Sequence, residues 1–285
     1  MPNDNFYLRI MSPRGQYPRN LVQSKSALYV PRWQVGRAYT LVKNHVADDQ
    51  YHNSEISWAL VSEIRLWASI ALSIPEDSGV YIMYPNPTPI TLSRSQLPFD
   101  DLAAPEFLEK MDQFLHDKMD GLDIEQIDYD SFSTVDFNPL DQQRLYHSID
   151  PNNHLLIRGL SCLLKSRLFM GKYLYLFLEE AALLVFVSME ALLSLVRNSL
   201  KSSGINNPTF SQVYDIISRR YTPGIDLSEY FEECYDHRVR LVHPDNRFGA
   251  AGIPYLEADD YFDTCTDVER LYRGYLLDEK QFSKG

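Results

Sequence analysis

The stretch from Lys172 to Ser202 constrains this chain more than any other. At helical spacing it is apolar almost all round, and a helix with no polar face has to be surrounded by other elements. Gly204 follows as its stop, because glycine enters the left-handed conformation that closes a helix without steric cost. A membrane span needs about 20 consecutive apolar residues. The most apolar part, Tyr173 to Val196, is interrupted by Glu180 and Glu190, so it is expected to be a core helix of a soluble protein with no membrane partner.

Its neighbours follow in order. Residues 154 to 170 form a helix with Leu156, Leu160, Leu163 and Leu164 on its apolar side, and Gly171 separates it from the central helix. Asn207-Pro208 supplies an N-cap and first-turn pair for a helix running to about Arg220. Asp226 and Glu229 have capping-box spacing for the next helix, which Pro244 prevents from continuing past His243. A last helix, about Glu257 to Glu279, places Tyr261, Cys265, Val268, Tyr272 and Tyr275 on one stripe, with Asp260, Asp263, Asp267 and Glu269 largely elsewhere. The C-terminal half reads as a bundle.

The first half has a different texture. Between Asn5 and Val42, short β-type runs alternate with Pro and Gly, which predicts two or three strands joined by turns. Residues 54 to 73 read as an amphipathic helix stopped near Pro75, Gly79 to Tyr84 with Thr88 to Leu92 as a hairpin, and Pro105 to Met119 as a helix. The acidic segment 120 to 138 is the candidate linker, and Pro139 after Asn138 starts a short helix. The fold class expected is mainly α, with an α+β N-terminal region (1–138) before a helical bundle (139–285).

The formal charge of −12 opposes wholesale electrostatic wrapping of nucleic acid, but a local basic site is compatible with it. Cys162, Cys234 and Cys265 are too few and too scattered for a disulfide scaffold, which suits a reducing cytoplasm. The N-terminus shows no signal-peptide pattern, and no Gly-rich phosphate loop or nucleophile-elbow motif occurs.

The helix before Pro244 carries the candidate chemistry. Leu227, Phe231, Cys234, Leu241 and Val242 share one arc of it, with Arg238 in the middle. A guanidinium on an apolar face must meet a carboxylate, a partner or an anion. In one reading Arg238 pairs with Glu190 or another helix carboxylate while His243 ends the helix. In the other, Arg238 binds a phosphate and His243, whose imidazole titrates nearest neutrality, moves a proton. Arg and His with four residues between them occur at chance frequency in a chain of this composition, so the pattern alone decides nothing. Cys234, His237 and His243 match no common zinc spacing, and no cofactor is called for. Aromatic residues such as Tyr29, Trp33, Trp58 and Trp67 are candidates for stacking bases, with core packing the default.

The run Tyr235-Asp236-His237-Arg238-Val239-Arg240-Leu241-Val242-His243, preceded by Ser188-Met189-Glu190-Ala191-Leu192-Leu193, resembles the HEPN superfamily, specifically its Apea-like branch. The resemblance covers roughly residues 170 to 280. It implies a HEPN-type helical bundle that forms homodimers, and in many members a metal-independent ribonuclease of toxin, antiviral or RNA-processing systems. Other members are inactive and serve dimerisation or RNA and nucleotide binding. Carried over, Arg238 and His243 are the catalytic pair. Glu190 and Asp236 are candidates to support them, and Arg240 and Arg247 either hold flanking RNA phosphates or are solvated helix and loop residues. An antitoxin or regulatory partner is compatible with such systems. Val239 and Pro244 stand where active members often have a small or polar residue and a glycine.

Overall fold

The structure, a computed structural model, describes residues 5–10, 15–23, 27–32, 37–43, 61–74, 90–93, 105–106, 109–111, 113, 132–172, 176–222, 227–242 and 257–278. The chain divides into two compact units, one of Met1–Leu66 and Val80–Asp136, the other of Trp67–Gly79 and Phe137–Gly285. Among the described residues the molecule is mainly helical.

In the first unit, β1 (Asn5–Ile10), β2 (Gly15–Pro18), β3 (Val22–Gln23), β4 (Ala27–Arg32) and β5 (Arg37–Lys43) replace the two or three strands expected. A five-stranded sheet has the order β3-β4-β5-β1-β6, where β6 is Ile90–Ser93. Its neighbours are antiparallel, with Leu8 opposite Leu41 and Leu28 opposite Leu41 on the other side. Ala27, Leu28, Tyr29 and Val30 are all buried. Successive side chains alternate between faces, so β4 is covered on both. The expected hairpin survives as β6 alone, paired with β1, and its first arm lies outside the described residues.

Of the candidate linker 120–138, residues 120–131 lie outside the described residues, and the linker reading is corrected only from 132 on. Phe132–Val135 forms β7, parallel to β2 with Gly15 opposite Phe132. Phe-Ser-Thr-Val is a strand-type run, and its pairing with the distant β2 outweighs the acidic texture of the residues before it. Tyr29 donates its hydroxyl to the Pro18 carbonyl at 2.8 Å.

Helix α1 (Val61–Ala71) crosses the division between the units. Its Trp67 is fully buried, as is Tyr29 in the first unit, so these two of the candidate stacking aromatics are core. Trp33 and Trp58 lie outside the described residues. In the second unit α2 (Pro139–Ser148) begins with Pro at its first position, and the Asn138 side chain accepts from the Leu140 and Asp141 amides at 3.0 and 3.3 Å. The Gln142 amide donates to the Ser69 hydroxyl at 2.9 Å.

Helices α3 (His154–Lys172) and α4 (Leu178–Ser202) run antiparallel, since Gly159 meets Ser188 while Phe169 meets Phe177. The expected break at Gly171 therefore falls later, and α4 starts at Leu178. Glu179 and Glu180 occupy its first turn, where the N-terminal dipole favours acidic groups. Gly204, at φ +98°, ends it in a Schellman motif: its amide donates to Lys201 O and the Ile205 amide to Leu200 O.

Helix α4 touches α3, α5 (Phe210–Arg220), α6 (Ser228–Val242) and α7 (Ala258–Leu277). It is nevertheless not enclosed on every side. Glu180, Leu183, Val187, Glu190, Ser194, Asn198 and Lys201 recur at helical spacing and stay partly or fully exposed.

Two caps differ from expectation. Helix α5 is capped by Thr209, in a capping box with Gln212 at 3.3 and 2.9 Å, not by Asn207. Asn207 instead takes φ +50°, a left-handed conformation that asparagine tolerates. Asp226, expected to cap α6, lies outside the described residues. Glu269, expected largely away from the buried stripe of α7, is drawn inside by an ion pair with the buried Arg167 of α3.

Candidate functional site

Helix α6 presents Leu227, Phe231, Cys234 and Leu241 to the core. The same spacing brings Arg238 to α4, where its guanidinium donates to the Glu190 carboxylate, the pairing expected in the first of the two readings of this helix. The guanidinium also lies 6.0 Å from the Tyr235 ring centroid, a cation–π distance one turn back on the same helix. The two side chains stay 32% and 39% exposed. That exposure separates this pair from Arg167–Glu269, whose side chains are 6% and 15% exposed.

The contrast is energetic. A solvated ion pair contributes about 0–1 kcal/mol, so Arg238 can exchange its carboxylate for a phosphate at little cost. Phosphate and carboxylate both fit the planar fork of an arginine. For Arg167 the same exchange would leave a buried charge uncompensated. Burial pushes the Glu269 carboxyl up against the lowering effect of Arg167, while the Arg167 guanidinium is held charged by that partner.

Arg238 and Glu190 border an open cleft of about 660 Å³ lined by α4, α5 and α6. Phe186, Phe210, Tyr214, Phe231 and Tyr235 supply aromatic surface, and Glu232 and Asp236 add carboxylates. Tyr214 stacks on Phe231 with centroids 4.7 Å apart, and Phe210 continues the series 6.2 Å from Tyr214. Arg197 lies over the Phe210 ring, its guanidinium 5.4 Å from the centroid and bonded to the Pro208 carbonyl at 3.1 Å.

Of the residues singled out from sequence, Arg238, Glu190 and Asp236 come together around this cavity. His243 and Arg247 lie outside the described residues, as does the side chain of Arg240. Cys234 is a buried thiol on the cavity wall. Burial pushes it up to about 11, with Tyr230 opposing and Asp267 and Glu233 reinforcing the shift. Among the described residues no group of three His, Cys, Asp or Glu is placed to hold a metal ion, and no helix is long and apolar enough to cross a membrane. Sequence reasoning missed the α5 aromatics. Their signal was Phe210 and Tyr214 one turn apart on a short helix otherwise rich in polar residues.

No family model matches this chain, and no curated protein or solved structure matches it either.

Proposed function

We propose that the second unit is a HEPN-type bundle and the chain a metal-independent endoribonuclease of the cytoplasm, working as a homodimer within a toxin or antiviral defence system. One observation carries the reading. The two segments on which the resemblance rests, far apart in sequence, meet at the Arg238–Glu190 pair, and the arginine there is exposed enough to take a phosphate.

In this reading the RNA 2′-hydroxyl attacks the adjacent phosphorus and the 5′-oxygen of the next nucleotide leaves. His243 assists the proton transfers and Arg238 stabilises the charge gathering on the phosphoryl oxygens. The products are a 2′,3′-cyclic phosphate and a 5′-hydroxyl, and DNA, lacking the nucleophile, is not cut. Glu190 holds Arg238 in place before substrate arrives. Asp236 supports the site from the cavity wall, and Arg240 and Arg247 hold neighbouring phosphates.

A second reading is a catalytically inactive HEPN module for dimerisation or RNA and nucleotide binding. Its supporting observation is that Glu190 already engages the guanidinium. Incubation of the full chain with a broad RNA panel in EDTA separates the two. Cleavage to cyclic-phosphate ends, lost in His243→Ala and Arg238→Ala, is the result expected of the enzyme. If wild type and His243→Ala are equally inert, the catalytic reading fails and the binding module remains.

A further inference from the structure

From the cavity beside Arg238 we infer a guanine-selective base pocket, in which an RNA guanine stacks between Phe210 and Tyr235 and donates to Glu232 or Asp236. The inference rests on the reading of Arg238 as the phosphate-holding residue and names the nucleotide that the site selects.

At about 660 Å³ the cavity is in the size range of small-ligand clefts, about 300–1,000 Å³. Phe210 and Tyr235, on two different helices lining it, remain 58% and 56% exposed. Large rings left open on a concave surface mark places where something stacks. Phe210 is also backed by Tyr214 and Phe231 in a continuous series and is flanked by the Arg197 guanidinium. It is a supported platform, not a loose side chain.

Charge then divides the space. Glu190, Glu232 and Asp236 line the cavity with Arg238 as the one cation among its described lining residues. Such a wall disfavours phosphate beside Glu232 and Asp236, so the backbone belongs at Arg238 and an uncharged base beside those carboxylates. Glu232 and Asp236 stand one turn apart on α6, on the side that also presents Tyr235.

A carboxylate accepts hydrogen bonds and donates none. Guanine offers two adjacent donors, N1–H and the 2-amino group, which fit the two oxygens of one carboxylate. Adenine and cytosine each pair one amino donor with a ring nitrogen acceptor, and uracil flanks its single N–H with carbonyls. Against a carboxylate each of those edges sets an acceptor against an acceptor and makes one hydrogen bond where guanine makes two.

Free nucleosides test the pocket without requiring cleavage. Titration of the full chain with guanosine, adenosine, cytidine and uridine, followed on its aromatic NMR resonances, is expected to show guanosine binding at least about tenfold tighter than the others. The Glu232→Gln/Asp236→Asn double variant, folded as judged by circular dichroism, brings guanosine level with the rest. Phe210→Ala weakens all four together. Equal affinity for the four nucleosides, no binding of any, or selectivity that survives the double substitution overturns the inference. Guanosine selectivity in a chain inert on RNA would sink the ribonuclease reading and leave the pocket standing. Cleavage with no guanosine preference would do the reverse.

Discussion

The Tyr272 hydroxyl donates to the Ser188 carbonyl at 2.8 Å and stands where a side chain at position 159 would have to go. Ser188 in turn donates its hydroxyl to the Gly159 carbonyl at 2.8 Å, so one polar knot fastens α3, α4 and α7. On an open helix surface, replacing glycine by alanine gains about 1 kcal/mol. Here the added carbon would meet Tyr272 Oη and lie 2.9 Å from Ala191 Cβ. Gly159→Ala is therefore expected to destabilise by about 1–3 kcal/mol in urea unfolding. Tyr272→Phe should recover part of that loss in the double variant, because it removes one of the two clashing groups. A neutral or stabilising Gly159→Ala would show that the three helices are not in contact there.

The two arginine–glutamate pairs should respond to truncation in opposite ways. Arg167→Met leaves Glu269 buried without its partner and is expected to cost about 3–5 kcal/mol. Arg238→Met should cost under about 1 kcal/mol, since solvent already screens that pair. Denaturation midpoints of the two variants check this, and equal losses would contradict the difference in exposure.

Glu190→Gln separates holding from competing. The amide keeps a hydrogen-bond acceptor for Arg238 but removes the charge that a phosphate must displace. For the ribonuclease proposed above, KM for RNA is expected to fall severalfold with kcat little changed, at a stability cost under about 1 kcal/mol. A fall in kcat with KM unchanged would show that Glu190 acts in the transition state instead.

The thiols give the molecule an alkaline limit. Burial pushes Cys265 up to about 12 and Cys234 up to about 11, from an ordinary value of 9.0. The folded chain therefore holds these protons where the unfolded chain has released them. The associated stability is fully present below about pH 9 and is lost as pH rises toward 11 and beyond. Urea unfolding from pH 7 to 11 should show a plateau and then a decline. Native thiols at pH 8 should react with an alkylating reagent far more slowly than those of the unfolded chain. Fast labelling of all three in the native protein would contradict their burial.

The helical half was legible because periodicity reports burial. The stripe Tyr261, Cys265, Val268, Tyr272 and Tyr275 is buried throughout, and Pro139 and Gly204 punctuate helices for local reasons. What sequence left open depended on partners distant in the chain. Glu269 looks like any surface acid until Arg167 is seen beside it. Glu190 and Arg238 were each ambiguous alone, and the choice of partner for a charge on an apolar face is made by packing between helices. Strand β7 was hidden because its partner β2 is more than a hundred residues earlier, so no turn signal joins them.

Helix α1 has a practical consequence. The residues after Leu66 belong with the helical unit, and two of its bonds are made there: Gln142 to Ser69 and the Asn138 amide to the Ser73 carbonyl. A protease cut or a truncation just before Phe137 would strip those partners away and uncover the buried Gln142. The helical half is thus written in two separate passages of the chain, and ribosomal synthesis delivers the first of them before the last strand of the other unit has been made.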